Sequence, residues 1–279
     1  MNYGVTLTGA GPMADPDKIR RAARKADQLG FHSIWLYDHI TFPATPPESY
    51  GKLPFTPETA FLDPLIMLAA IASETQRIRL GTGVLLLALR HPLHVAKSVS
   101  TLDVISGGRV ILGVGLGWLA EEFQAMEIPF KERAGRVRES VEILRKIWTN
   151  GKLHYDGRYY RFPETTSYPL PLQAGGPPIW FGAAAEAALK RSAELGDGWL
   201  GVSSSLEIAG KKIKKVAEFA RQAGKSNFVV AVGASPEITR EEVDQLREMG
   251  ANHINLSFPS GDASEIESRM VAAAGRLLG

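Results

Sequence analysis

The sequence predicts an α/β fold, a single (β/α)8 or TIM barrel with parallel strands, over residues 1–279. Strand-like and helix-like segments alternate eight times, which suits the usual length of this architecture. The strand segments are apolar runs without polar alternation, as in parallel strands buried on both faces. No linker or change of composition divides the chain. The alternative fold class is a doubly wound open sheet.

The first unit carries the clearest element signals. A strand at 3–7 precedes a helix in which Asp15 can cap the amino end, Pro16 suits the first helical position and Gly30 can end the last turn. A second strand follows at 32–36. The later strands are predicted at 78–86, 109–115, 178–182, 198–202, 228–233 and 253–258, and the later helices at 64–73, 92–106, 131–149, 184–195, 206–223, 239–249 and 263–277.

Two connections are longer than usual. The first, 37–59, contains five prolines and follows the second strand, so it belongs to the face where barrel enzymes keep their catalytic loops. The second, about 150–177, leads from a helix into the fifth strand and therefore begins at the opposite face. A packing role and a functional role are equally open for this second connection.

Composition excludes several classes of function. The chain has no cysteine, and its six histidines lack metalloprotease spacing, so no metal site is expected. The net charge of +2 and the absence of a dense basic patch argue against nucleic acid. Because no apolar run approaches about 18 residues and the amino terminus does not resemble a signal peptide, we expect a cytoplasmic protein with a small-molecule substrate.

The stretch GVGLGW at 113–118 places three glycines after a strand. It is not a dinucleotide-binding fingerprint, because the third glycine of that motif would be Trp118. At the mouth of a barrel, Gly113, Gly115 and Gly117 can let the backbone approach a flat ligand or a neighbouring strand. Both interpretations stay open. LGTGV at 80–84 adds a second glycine-rich break inside a strand.

Two further places can carry chemistry. Asp38 and His39 end the second strand, at the catalytic end of a barrel, and Asp38 can orient the ring of His39. The small residues at 182–185 expose the start of a helix, where N–H groups and the helix dipole favour an anion such as phosphate. A plain strand-to-helix turn explains the same residues.

Long stretches resemble the bacterial-luciferase-like superfamily, and most of all its oxidoreductases dependent on the deazaflavin coenzyme F420. The resemblance rests on GFHSIWLYDHI, RIRLGTGVLLLALRHPLHVAKSVSTLDVISGGRVILGVGLGW, EEFQAMEIPFKERAGRVRESVEILRKIW and PPIWFGAAAEAALKRSAELGDGW. It implies a hydride-transferring enzyme, commonly a homodimer, with F420 across the barrel mouth and a cis peptide at Gly83–Val84. It also implies a catalytic His39 and a cofactor site formed by Asp38, Gly83, Val84, Gly115, Leu116, Gly117, Gly182, Ala183 and Ala184.

The sequence departs from the sugar-phosphate-oxidising members at two positions. Trp118 stands where those members have a proposed proton-donating glutamate, and Pro43 stands where they have a tryptophan. Their substrate and acid–base scheme is therefore not carried over. Trp118 and Phe42 are assigned to an apolar substrate pocket. The alternatives are an FMN-dependent monooxygenase, a cofactor-binding barrel without turnover, and an isomerase or lyase acting on a phosphorylated metabolite.

Overall fold

The computed structural model describes residues 1–51, 55–202 and 205–279. Its strands are β1 (Asn2–Leu7), β2 (Ser33–Leu36), β3 (Arg79–Thr82), β4 (Leu85–Leu86), β5 (Val110–Gly115), β6 (Lys152–Asp156), β7 (Arg161–Thr166), β8 (Ile179–Gly182), β9 (Gly198–Gly201), β10 (Val229–Ala234) and β11 (His253–Phe258). Its α-helices are α1 (Pro16–Leu29), α2 (Pro64–Glu74), α3 (Pro92–Ser106), α4 (Ala120–Ala125), α5 (Arg133–Asn150), α6 (Glu186–Leu195), α7 (Leu206–Gln222), α8 (Arg240–Glu248) and α9 (Ala263–Leu277). Residues 52–54 of the first long connection lie outside the described part.

Within the described residues, eight parallel strands close into a barrel, which confirms the predicted fold. They follow the order β3–β2–β1–β11–β10–β9–β8–β5, and β3 pairs back with β5 through Leu80 and Val110. The predicted strand at 78–86 is divided into β3 and β4 by a break at Gly83 and Val84.

Local signals in the sequence explain where the helices begin and end. The Asp15 side chain accepts hydrogen bonds from the N–H groups of Asp17 and Lys18, and Gly30 ends α1 in the left-handed conformation with φ of 86°. Thr239 and Glu242 form a reciprocal capping box at the start of α8. These caps fix the helix ends against the strands and so position the loops at the barrel mouth.

Aromatic side chains fill the barrel interior. Trp35 of β2 and Trp180 of β8 lie on strands that are not neighbours, yet their ring centroids are 5.1 Å apart. They meet across the barrel, where they pack with Ile111 and Ala231. A β-carbon on Gly81 would lie 2.3 Å from the ring of Trp35, so glycine at this position makes room for the tryptophan. This layer supports the mouth of the barrel.

The second long connection contains the antiparallel pair β6 and β7 and packs on α5. The buried rings of Tyr155 and Tyr160 cluster with Ile143 of α5, and the Tyr155 hydroxyl donates a hydrogen bond of 3.0 Å to Glu142. Among the contacts described, the role of this connection is packing. No helix in residues 1–51, 55–202 and 205–279 is long and apolar enough to cross a membrane.

Candidate active site

A cavity of about 810 Å³ opens where the barrel strands end at their carboxyl termini. Every barrel strand or the turn after it contributes to its wall, from Thr6 of β1 to Ser257 of β11. A pocket of this size, lined mainly by apolar groups with a few polar ones, is typical of a small-molecule or cofactor site. Its place is the catalytic end of a TIM barrel.

The cavity brings together most of the residues that the sequence assigned to a site. Its walls include Gly83, Val84, Gly115, Leu116, Gly117, Trp118, Gly182, Ala183 and Ala184. Asp38, His39 and Phe42 are not among the residues that line it. Sequence reasoning missed Tyr37, Asn255, Ser257 and Arg269, which supply polar groups to the wall.

Val84 forms one side of the cavity between two glycines. The peptide bond between Gly83 and Val84 is cis, as the resemblance implied. A β-carbon on Gly115 would lie 2.5 Å from Val84 Cγ2, and one on Gly182 would lie 2.8 Å from Val84 Cγ1. Both glycines therefore leave the space that the valine side chain occupies.

The two interpretations of the glycines at the end of β5 and just after it apply to different positions. A β-carbon on Gly113 would lie 1.9 Å from the carbonyl oxygen of Thr82 on the neighbouring strand, so packing requires this glycine. Gly117 has φ of +82°, a conformation that L side chains rarely adopt, and it also lines the cavity. The turn thus serves both strand packing and the approach to a ligand.

Asp38 does not orient His39, and that prediction is wrong. The buried Asp38 carboxylate accepts a hydrogen bond of 2.9 Å from the backbone N–H of Leu86 and one of 2.7 Å from Arg90. Burial raises the pKa of Asp38, and the adjacent Arg90 opposes that shift. Asp38 therefore ties the end of β2 to β4, directly after Val84, and supports the cavity wall from behind.

Glu122 takes the place that was predicted for Asp38. Its Oε2 lies 3.0 Å from His39 Nδ1, and its Oε1 accepts hydrogen bonds from the backbone N–H groups of Ile40 (2.7 Å) and Thr41 (3.3 Å). The Glu122 side chain is fully buried and that of His39 is 9% exposed. The signal that could have pointed to it is the glutamate pair at 121–122, just after the glycine turn, although the sequence does not fix the direction of either side chain.

Four aromatic rings surround His39. We call Phe42, Phe55, Phe61 and Trp118 the aromatic cluster; their ring centroids lie 5.1–6.4 Å from that of His39. Trp118 belongs to both this cluster and the cavity wall, and it is 42% exposed. Phe42, which was predicted to line the substrate pocket, does not line the cavity itself. It lies behind Trp118, with the two ring centroids 6.4 Å apart.

The long loop after β2 is held against the segment that contains Trp118. The Tyr50 hydroxyl donates a hydrogen bond of 2.9 Å to Glu121 and accepts one of 3.2 Å from the N–H of Ala120. The Tyr50 ring also meets the Trp118 ring edge-on, at 5.6 Å. These contacts fix the outer side of the aromatic cluster.

Helix α6 begins at the opposite side of the cavity from β2. Its N-cap residue, Ala185, has no side chain that can accept from the first-turn N–H groups. Ala183, Ala184 and Ala188 all line the cavity, so small side chains leave the helix start open to it. Uncapped N–H groups and the helix dipole make this the place where an anionic group fits.

A buried polar network lies beneath the cavity. His253 Nε2 lies 3.2 Å from Ser33 Oγ and 2.9 Å from Asn255 Oδ1, and the Trp35 indole N–H donates to Ser33 Oγ over 2.8 Å. Burial, together with the nearby His32, lowers the pKa of His253 to about 3. His253 is thus neutral at physiological pH and orients Asn255 at the cavity wall.

Two further polar groups line the cavity. Burial raises the pKa of Tyr37, and the nearby Ser257 side chain opposes that shift. The guanidinium of Arg269 on α9 lies 2.9 Å from a Glu237 carboxylate oxygen and 5.6 Å from the centre of the Phe258 ring. These polar groups of the wall therefore come from the segment after β2, from β11 and from α9.

Comparison with known proteins shows a match to a protein family. The model of the luciferase-like monooxygenase family matches residues 1–276. An uncharacterised protein of Mycobacterium bovis is 29% identical over 282 residues and covers 99% of both chains. An F420-dependent glucose-6-phosphate dehydrogenase of Nocardia farcinica is 37% identical over 220 residues, which are 76% of this chain and 61% of that relative.

A solved structure shares the same architecture over the full length. The monooxygenase RslO1 from Streptomyces bottropensis superposes with a TM-score of 0.83 at 25% identity, covering 100% of this chain and 99% of its own.

Proposed function

Because this chain belongs to the luciferase-like monooxygenase family, whose members here include flavin- and deazaflavin-dependent oxidoreductases, we propose that it is an F420-dependent oxidoreductase that transfers a hydride between F420 and a small organic substrate. The observation that carries the proposal is a single cavity that unites Val84, the turn at 115–117 and the open start of α6. The F420-dependent dehydrogenase of Nocardia farcinica, at 37% identity, supports this cofactor.

The residues present fit a deazaflavin. The apolar side of the cavity, formed by Val84 between Gly115 and Gly182, suits the face of a flat ring. The phosphate of the cofactor would take the N–H groups near Ala183 and Ala184 at the start of α6. When bound, the deazaflavin would supply the hydride chemistry, while the protein supplies orientation and a site shielded from water.

The aromatic cluster defines the substrate end in this proposal. Trp118 forms an apolar wall beside the cavity, and Phe42 extends that surface towards His39. Substrates with an apolar skeleton fit such a surface better than sugar phosphates do. The glucose 6-phosphate specificity of the Nocardia farcinica relative is therefore not proposed for this chain.

His39 exchanges the substrate proton in this scheme. Hydride transfer to or from a carbon that bears oxygen is accompanied by loss or gain of a proton at that oxygen, and an imidazole is suited to both near neutral pH. His39 lies behind Trp118, with the two ring centroids 5.9 Å apart, so in this scheme the substrate approaches His39 from the Trp118 side of the cavity. As part of the proposal, the enzyme works as a cytoplasmic homodimer.

An FMN-dependent monooxygenase is the second candidate. The full-length likeness to the monooxygenase RslO1, at 25% identity, favours it. The two candidates share the cavity and the phosphate position but differ in the need for oxygen.

Turnover with each cofactor separates them. The protein is incubated with reduced or oxidised F420 and a panel of uncharged alcohols, ketones and enones, and the visible absorbance of the deazaflavin is followed under nitrogen. Substrate-dependent oxidation or reduction of F420 without oxygen supports the proposal. Substrate oxidation that requires oxygen and occurs with reduced FMN but not with F420 would support the second candidate instead.

A further inference from the structure

Glu122 is a fully buried carboxylate with three hydrogen-bonding contacts among the described residues, all to the segment that carries His39. Oε1 accepts from the N–H groups of Ile40 and Thr41, and Oε2 faces His39 Nδ1 at 3.0 Å. The chain reaches across from α4 to make these contacts, 83 residues away from His39 in sequence. Because burial of a carboxylate is costly unless it is hydrogen-bonded, these contacts are what stabilise Glu122 at this position.

These contacts determine which nitrogen of the imidazole carries the proton. In a neutral histidine one ring nitrogen is a donor and the other an acceptor. A carboxylate only accepts hydrogen bonds, so the ring nitrogen that faces Oε2 at 3.0 Å must be the donor, and the ring proton is placed on Nδ1. Nε2 is then the unprotonated nitrogen and can accept a proton.

We propose that Glu122 is a positioning residue that holds His39 in the Nδ1–H form and so makes Nε2 the proton acceptor. The inference rests on the proposed function. When an alcohol is oxidised, its carbon gives up a hydride to F420, its oxygen gives up a proton to Nε2, and the carbonyl double bond forms. The positive charge that then develops on His39 is stabilised by the adjacent carboxylate of Glu122.

The substitution Glu122→Gln separates this role from simple support of the loop. The two backbone N–H groups of Ile40 and Thr41 need an acceptor, so they retain the amide oxygen of Gln. The amide NH2 must then face His39 Nδ1 and donate to it, which moves the ring proton to Nε2. The loop contacts persist while the tautomer is reversed. In serine proteases the comparable loss of a carboxylate lowers kcat about 10⁴-fold for the same reason.

The first test uses cofactor-free protein labelled with ¹⁵N at histidine. In the wild-type spectrum at mildly alkaline pH, the His39 signals, assigned by their loss in His39→Asn, should show a protonated Nδ1 and an unprotonated Nε2. In Glu122→Gln the two should exchange. A wild-type His39 that carries its proton on Nε2 would overturn the proposal, whether or not Glu122→Gln folds.

The second test is kinetic and uses protein loaded with F420. Glu122→Gln should lower kcat for alcohol oxidation about 10²–10⁴-fold with little change in KM or F420 affinity. The control is Glu121→Gln, which alters the neighbouring glutamate and its contact with Tyr50 and should keep the wild-type tautomer of His39. Unchanged kcat in folded Glu122→Gln would reject the positioning role. Failure of the wild type to bind F420 would reject the proposed function but leave the tautomer result standing.

Discussion

Replacing Gly115 with alanine tests whether the glycines at the barrel mouth are needed to leave space for the Val84 side chain. The added β-carbon would lie 2.5 Å from Val84 Cγ2 and 3.5 Å from Val84 Cβ. Carbon atoms in ordinary contact are about 3.5–4.0 Å apart, so Val84 must move by about 1 Å or more. Overpacking of this kind costs about 1–3 kcal/mol of unfolding free energy. The displaced side chain would also intrude into the cavity and weaken F420 binding.

Urea unfolding, read from the midpoint at constant slope, measures that loss. The control is Gly233→Ala, since Gly233 also lines the cavity but a β-carbon there would find its nearest neighbour, the Gly201 carbonyl oxygen, at 3.5 Å. Adding Val84→Ala to Gly115→Ala removes the clashing methyl and leaves only the 3.5 Å contact, so the double variant should recover stability relative to the sum of the two single changes. Equal stability of Gly115→Ala and Gly233→Ala, with additive effects in the double variant, would refute the reasoning.

Three other changes have defined outcomes. Ala183→Asp should weaken F420 binding at least about tenfold, because it places a carboxylate beside the phosphate, whereas the isosteric Ala183→Asn should weaken it far less. Equal F420 affinities of the two variants, measured by fluorescence titration, would show that the phosphate does not bind at the start of α6. His39→Asn should keep F420 affinity and thermal stability but lose about 10²–10⁴-fold in kcat, and wild-type turnover would reject its catalytic role. Between pH 6.5 and about 3, His253 is protonated in the unfolded chain but not in the folded chain. The free energy of unfolding should therefore fall as pH is lowered through this window, by up to about 1.4 kcal/mol per pH unit. His253→Gln should flatten that dependence in urea titrations, and an unchanged slope would contradict it.

The fold could be predicted from the sequence because its signals are local. Asp15, Pro16 and Gly30 define the ends of α1 through contacts within a few residues. Buried parallel strands appear in the sequence as apolar runs. The walls of the cavity were predicted for a related reason, because strand ends and the turns after them must meet at one end of a barrel.

The surroundings of His39 could not be predicted in this way. Asp38 precedes His39 directly, but neighbouring residues at a strand end point in different directions, and the carboxylate of Asp38 is taken by Leu86 and Arg90. The carboxylate that does reach His39 comes from Glu122, whose direction depends on how α4 packs after the glycine turn. That is a tertiary contact with no signature in sequence spacing.

Titration of the purified protein with F420 and with FMN, side by side, is the most direct test of the central claim. The account predicts saturable binding of F420, seen as a change in its fluorescence, with clearly higher affinity than for FMN, and a marked loss of F420 affinity in Ala183→Asp but not in Ala183→Asn. Tight binding of FMN with no detectable binding of F420, or F420 binding that is indifferent to the charge at residue 183, would contradict it.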